Sequence, residues 1–476
     1  MSSSIIDTMQ LGLLSTKFLE DVGIILIISS LHVMNYYKYL KYAVLVGITG
    51  ILISIASFLI SIFNTYLVES HHLSRIVGII ITMLVGSFIG YQSTSKVQME
   101  LLPEIMALLH SLVGLCAMMT DFNFCIHRVN IGKTIEFDAI FGIFIGSITF
   151  SGSISAFLKL QNNNILTNIL SKFINIKRVN LFNAIILSIV LILSSVILCH
   201  QSMMVLYVIS ILSILLGITS ITFIGGSDMA IAISILNSYS GWSAMCLGFV
   251  ICNNTLITTG IIVGVSGAML SHFMCKSMNK SILGVIFNHY AKDTLSNSLD
   301  KPVKMASPND VAFSLMNSSL VVIIPGYGMS ISRSQHVIKS IMMVLKQKNI
   351  EVWVGVHPVA GRMPGHMDVL LADANIDYSL IKGLNEVNAS ISIATILVVG
   401  ANDIINSSAK NDKYSPLYGM QVFDVENAQE TFIIKRSMSH GYAGIDNPSF
   451  YAPNARIVLG EAKKICEDIL SGMNEF

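Results

Sequence analysis

Val321-Val-Ile-Ile-Pro-Gly-Tyr-Gly-Met329 decides the fold of the second half of this chain. A short apolar run bounded by Pro and Gly reads as a buried strand, and Gly-Tyr-Gly as the turn from that strand into a helix. At the carboxyl end of a strand, such a turn lets backbone approach a pyrophosphate held at the helix N-terminus. Gly326 is expected to permit the tight turn and Gly328 the close approach, with Tyr327 and Met329 beside them. The third position of the general dinucleotide fingerprint, where Gly or Ala packs closely, is Ile331 here. A glycine turn without ligand is therefore the competing reading of this motif alone.

Downstream, strand and helix signals alternate: a helix over 329–348, a strand over 351–356, a short helix over 369–375, then strands over 395–399, 421–425, 431–434 and 456–459 and a terminal helix. That alternation predicts an α/β, Rossmann-like, doubly wound parallel sheet over 320–476. His357-Pro-Val-Ala-Gly-Arg-Met-Pro-Gly-His366 follows the second strand without an acidic residue at its tip, where an NAD-specific site places a carboxylate on the ribose 2′-hydroxyl. Lys435-Arg436-Ser437 ends a later strand and offers two cations and a hydroxyl to a 2′-phosphate. Gly400-Ala-Asn402-Asp403 ends another, and Gly441-Tyr442-Ala-Gly444 reads as a loop able to fold over a nucleotide. Taken together, these stretches favour NADP(H) over NAD(H).

Upstream, the chain is built for lipid. Of its 476 residues, 53% are hydrophobic and 12% charged, against about half apolar and a quarter charged in soluble domains. The mean hydropathy is +0.69. A net charge of +1 argues against a nucleic-acid partner, which needs a concentrated basic surface. The seven cysteines have no metal-ligand spacing and read as packing residues; no metal site is expected. About 20 apolar residues cross a bilayer, which predicts nine spans at 12–33, 42–63, 75–93, 104–121, 137–158, 180–199, 203–224, 229–252 and 255–276. The membrane domain is then 1–276 and a polar linker runs over 277–319. Lys38, Lys41, Lys96, Lys159, Lys172, Lys177, Arg178, Lys276, Lys280 and Lys292 fall on one side, and only Lys17, Arg75, Arg128 and Lys133 on the other. The positive-inside rule then puts the N-terminus outside and the C-terminal domain in the cytoplasm or matrix.

Small residues repeat at helical spacing in the fourth, fifth, eighth and ninth spans, which are expected to form an inner ring. That ring carries His110, Ser153 and Asn237, with Asp228 at the start of the eighth span. Ionisable residues inside a membrane are costly unless paired and mark function by default. His110 reads as a proton relay, with Asn237 as its expected partner, against a purely structural hydrogen bond as the alternative. Asp228 lies half a helical rotation from Asn237 and either faces the soluble domain or caps its helix.

Pro-Glu-Ile-Met-Ala-Leu-Leu-His110, Gly-Gly-Ser-Asp228, Leu-Asn237-Ser-Tyr-Ser-Gly-Trp and the soluble motifs quoted above together resemble the β subunit of proton-translocating NAD(P) transhydrogenases, over nearly the whole chain. The resemblance implies a nine-span domain joined to an NADP(H)-binding domain. It also implies a separate α subunit that carries NAD(H) and further spans. It maps the proton path onto His110, Asn237, Ser153 and Asp228, and the nucleotide contacts onto Gly326, Tyr327, Gly328, Met329, Gly361, Arg362, Asn402, Asp403, Lys435, Arg436, Ser437 and Tyr442. Hydride passes directly between nicotinamides, so no catalytic acid, base or nucleophile is assigned. A homodimer within a larger complex in the bacterial inner membrane, the C-terminal domain cytoplasmic, completes the expectation. Two stretches depart from the family pattern: Ser330-Ile-Ser-Arg-Ser334, usually alanine-rich, and Glu461 in place of an aspartate. A proton-coupled transporter with a nucleotide-sensing domain is the alternative function.

Overall fold

The computed structural model describes residues 2–34, 39–67, 73–95, 97, 101–126, 133–161, 165–173, 178–199, 202–287, 302–363, 365–441 and 443–475. Tyr442, the loop cations Lys38, Lys96, Arg128, Lys177 and Lys292, and linker residues 288–301 lie outside them.

The first half is helical: α1 (Ser2–Val33), α2 (Leu40–Leu67), α3 (Leu73–Ser95), α4 (Leu102–Ile126), α5 (Lys133–Leu160), a short amphipathic α6 (Ile165–Phe173), α7 (Val179–Cys199), α8 (Met203–Thr222), α9 (Met229–Val250) and α10 (Asn254–Ser277). Among the described residues, eight helices are long and apolar enough to cross a membrane: α2–α5 and α7–α10. The expected first span, 12–33, lies in α1, where Lys17, Glu20 and Asp21 crowd three charges into the part that would enter lipid.

The helices meet where side chains are smallest. A Cβ on Gly241 of α9 would stand 2.3 Å from Gly264 N of α10, and one on Gly114 of α4 would stand 2.7 Å from Phe150 N of α5. Backbones this close gain dispersion that bulkier residues would forbid. The inner ring is revised in one respect: α4, α5 and α9 pack on one another as expected, but α8 packs along α5 while α10 sits outside, against α9 and α1. Gly217 of α8, whose Cβ would come 2.7 Å from Ile148 O, is the small residue that admits α8. The glycines of α10 serve one neighbour, not the bundle centre.

After α11 (Ile282–Phe287) and α12 (Pro308–Met316) comes the soluble half: β1 (Leu320–Pro325), α13 (Tyr327–Ser332), α14 (Gln335–Gln347), β2 (Glu351–Gly355), α15 (His366–Asp373), β3 (Ile381–Lys382), α16 (Leu384–Ser390), β4 (Ala394–Val399), α17 (Ser408–Asn411), β5 (Glu430–Lys435), β6 (Ala455–Leu459) and α18 (Ala462–Glu475). All strand pairs are parallel, in the order β3-β2-β1-β4-β5-β6. Every residue of β1 and β4 is buried, as continuous apolar runs in a sheet covered on both faces require.

Four expectations for this half change. The helix expected over 329–348 is broken at Arg333, which is left-handed (φ 53°). Ser332 Oγ donates to Gly328 O (2.8 Å) there, the kind of side-chain bond that competes with helix propagation. The strand expected over 421–425 is irregular backbone, because Gln421 N–H donates instead to Ser277 O at the end of α10 (3.1 Å). The short strand β3 was not expected. Within the expected linker, α12 is capped reciprocally by Ser307 and Asp310 and buries Val311, Ala312 and Leu315 in the soluble core. Pro308 is the first residue of that helix, where a missing N–H costs nothing.

Candidate functional site

The strand order reverses between β1 and β4, and open parallel sheets bind ligands at the carboxyl ends of strands beside such a reversal. A cavity of about 610 Å³ lies there, walled by Tyr327 and Gly328 on one side, Asn402 and Asp403 on another and Lys435 to Ser437 on a third.

Its floor explains the glycines. Gly328 N–H donates to Gly400 O and Gly326 N–H to Val399 O, both at 2.9 Å. A Cβ on Gly326 would come 2.5 Å from Ala401 Cα, and one on Gly328 2.6 Å from Gly400 Cα. Gly400 itself is left-handed (φ 65°). The two glycines of the motif thus let the loops after β1 and β4 lie backbone on backbone. The Gly328 amide is thereby engaged by protein.

Lys435 ends β5 with its ammonium 4.1 Å from the centre of the Phe450 ring, donating to Ser439 O (3.0 Å). Burial pushes its pKa down to about 8, with Asp403 and Asp446 pulling the other way. Arg436 and Ser437 are exposed at the rim, where Ser437 Oγ lies 2.9 Å from Ser439 Oγ. The Asp403 carboxylate accepts from Ala443 N–H (3.0 Å), and buried Asn447 donates to the carbonyl and side-chain oxygens of Asn402. Ala443 and Asn447 are thereby tied to the turn that follows β4. Two cations and two hydroxyls around a glycine-floored cleft suit a phosphorylated ligand. Ser332, Ala360, His440, Gly460 and Glu461 also line the cavity. Of these, Gly460 was legible as a glycine ending a strand, whereas Ser332 depends on the helix break.

Met329 and Arg362 are not in the wall. Met329 is fully buried beneath it. Arg362 stacks 4.2 Å over the Tyr327 ring and turns away from the cavity, donating to Leu160 O (2.9 Å) and pairing with Glu104 Oε1 (3.3 Å) of the helical half. His366 fixes this corner: its Nδ1 accepts from Arg362 N–H, so Nε2–H donates to Ser330 Oγ, both at 3.2 Å. Burial and the Arg362 charge push its pKa down to about 4. His357 is likewise neutral, Nε2–H donating to Gln421 O (2.7 Å) and Nδ1 accepting from Val359 N–H; burial puts it at about 4. Below it, Leu417, Met420 and Val422 pack against Ile231, Met274 and Met278 of the bundle.

In the bundle, His110 Nδ1 lies 3.1 Å from Ser240 Oγ, and that hydroxyl donates to Asn237 O at 2.7 Å. With its proton so placed, Ser240 accepts from His110 Nδ1–H, leaving Nε2 bare and, among the described residues, without a hydrogen-bond partner. The partner of His110 is therefore Ser240, one turn beyond the expected Asn237, whose backbone rather than side chain takes part. Ser153 Oγ on α5 is also buried, without a hydrogen-bond partner among the described residues. Asp228 pairs with Lys280 (2.7 Å), just after α10, which places it at the soluble end of the bundle, apart from His110. Lys159 donates to the Thr222 and Ile224 carbonyls at the end of α8.

A family model described as NAD(P) transhydrogenase beta subunit matches residues 17–472. The chain is 39% identical over 412 residues to the NAD(P) transhydrogenase subunit beta of Rhodospirillum rubrum, covering 83% of this chain and 87% of that protein. It matches the protein of the same name from a defined strain of that species to the same extent.

Proposed function

This chain belongs to the family of NAD(P) transhydrogenase beta subunits, and we propose that it binds NADP(H) in the β1/β4 cavity and couples hydride exchange with an NAD(H)-carrying α subunit to proton movement past His110. Membership in an oxidoreductase family sets aside the reading as a transporter that only senses nucleotide. The bundle then has nine spans, α1 being the ninth, with the soluble domain on the cytoplasmic side of a bacterial inner membrane, and the assembly pairs two such chains.

In this reading Lys435, Arg436 and Ser437 hold the 2′-phosphate, and the Asn402–Asp403 turn positions the ligand against the glycine floor. Bound NADP(H) supplies the hydride donor or acceptor, and the chain contributes no nucleophile. His110, Ser153 and Asn237 line the proton route and Asp228 its soluble end. A charge crossing 100 mV yields about 2.3 kcal/mol, and about 1.4 kcal/mol is tenfold in an equilibrium. One proton per hydride therefore shifts the nucleotide ratio roughly fortyfold. Such coupling is reciprocal: whatever proton occupancy does to NADP(H) affinity, NADP(H) does to proton affinity.

The observation that carries the reading is Arg362, stacked on a cavity wall residue and bonded to α4 and α5. A shift at either end has a shared side chain through which to reach the other. The test is co-reconstitution with the α subunit in vesicles, following NADH-driven reduction of NADP⁺ and internal pH together. Reduction with proton movement that His110→Asn abolishes is expected; full pumping by His110→Asn would sink the reading.

A further inference from the structure

Asp121 lies near the end of α4 farthest from the soluble domain. It is fully buried, and neither carboxylate oxygen has a hydrogen-bond partner among the described residues. The carboxylate occupies a socket made by a missing side chain: an ideal Cβ on Gly142 of α5 would overlap Asp121 Oδ2, while Cys246 of α9 closes the other side, 3.2 Å from that Cβ. A buried carboxylate without partners is among the costliest groups a bundle can hold, and α5 has given up a side chain to hold it.

Its position relates it to His110. Eleven residues of helix return to nearly the same face at about 100° each and rise about 16 Å, so Asp121 stands over His110 on the buried stripe that includes Ser111, Gly114 and Ala117. Opposite, α9 presents Ser240, Ser243 and Cys246 three residues apart. Ser240 bonds to His110, Ser243 Oγ is fully buried without a partner among the described residues, and Cys246 closes the Asp121 socket. Outward of the socket, Asp138 precedes Gly142 by one turn of α5 and is partly exposed. Asp138 and the Cys246 thiol are the titratable groups beside this site among the described residues.

We propose that Asp121 is a second proton-carrying station, between His110 and the membrane face opposite the soluble domain. The proposal rests on the reading of the bundle as a proton path through His110. The carboxylate takes a proton from a hydronium ion arriving past Asp138, leaving water. It returns to carboxylate as that proton passes on to the bare Nε2 of His110 by way of intervening hydroxyls and water; Ser243 gives up one proton as it accepts another. Three buried groups without partners, Asp121, Ser243 and His110 Nε2, thus have one common use.

The test uses the complete enzyme with its α subunit in sealed vesicles, with Asp121→Asn, Asp121→Glu and His110→Asn in parallel. For Asp121→Asn the expectation is an NADPH affinity within twofold of the unaltered enzyme and pumping slowed at least tenfold. The rate should also lose its dependence on pH at the far face, and Asp121→Glu should restore part of both. Undiminished pumping with an unchanged pH profile overturns the proposal, as does slowing with the pH profile intact, which marks a packing role. If Asp121→Asn does not assemble, infrared difference spectra decide. A carboxylic acid band that responds to far-face pH and moves in Asp121→Glu supports the station, and its absence overturns it. Normal pumping by His110→Asn instead refutes the reading beneath, whatever Asp121 does.

Discussion

The guanidinium of Arg362 lies 4.2 Å over the ring of Tyr327, so one side chain of the cavity wall is roofed by a cation whose other bonds belong to the membrane half. Arg362→Gln removes that cation and leaves the Glu104 carboxylate, 7% exposed, without its ion-pair partner. Breaking a buried pair costs about 3–5 kcal/mol. The variant is expected to unfold at lower temperature and to pump fewer protons per hydride, with NADPH affinity changed less than coupling. Vesicle proton-to-hydride ratios beside NADPH titrations measure this, and an unchanged ratio counts against Arg362 as the link.

Replacing Lys435 and Arg436 together by Ala separates the 2′-phosphate from the rest of the ligand. A hydrogen bond to a charged group contributes about 1.5–3 kcal/mol, so NADP⁺ affinity should fall by tenfold or more per cation. NAD⁺, which lacks the phosphate, should bind as weakly as before. Calorimetric titration with both ligands checks this, and equal losses for the two would remove the case for a phosphate cradle here.

Lys435 also sets a pH limit. Burial holds its pKa at about 8 in the free site, and a phosphate dianion beside it favours the charged form and raises that value on binding. Above about pH 8 the ligand must bring a proton with it, so affinity falls by up to tenfold per pH unit until the raised pKa is reached. Lys435→Arg, charged throughout, should flatten this limb of the NADP⁺ dissociation constant between about pH 7 and 10.

His357 and His366 make the soluble half acid-sensitive. Both are held at about 4 against about 6.5 in an unfolded chain. Their contribution is fully present above about pH 6.5 and is lost as pH falls toward 4, because the unfolded chain then binds protons that the fold refuses. At about 1.4 kcal/mol per unit, each histidine accounts for a few kcal/mol at most. Thermal unfolding between about pH 7 and 4.5 should show a steep loss that His366→Gln reduces, and an identical slope in that variant would rule the histidine out as its source.

Much of this was legible in the sequence where one residue type had one physical meaning. The apolar run 321–324, closed by Pro325 and Gly326, reads as a strand covered on both faces, and cations at a strand end point at whatever binds there, so the sheet and the Lys435–Ser437 wall followed directly. Pro308 had two meanings, and Ser307–Asp310 around it settled which. Asp121 was passed over because counting apolar residues ends the fourth span at that position and files its carboxylate with the loop. The Arg362–Glu104 pair joins residues 258 apart in the chain. No spacing rule reaches that far, so Arg362 was read only with the ligand motif that contains it.

The bond from Gln421 N–H to the Ser277 carbonyl joins the two halves through main chain alone. Any residue except proline at 421 keeps the N–H that makes it, and the carbonyl at 277 belongs to the backbone, so a substitution that leaves the main chain in place leaves this bond in place. Side-chain packing at the seam falls instead to the neighbours, Leu417 and Met420. Random libraries at this junction should recover a wide set at the exposed position 421 and a narrow one at the buried positions 277, 417 and 420. The registration of the seam thus rests partly on a bond that side-chain chemistry does not set.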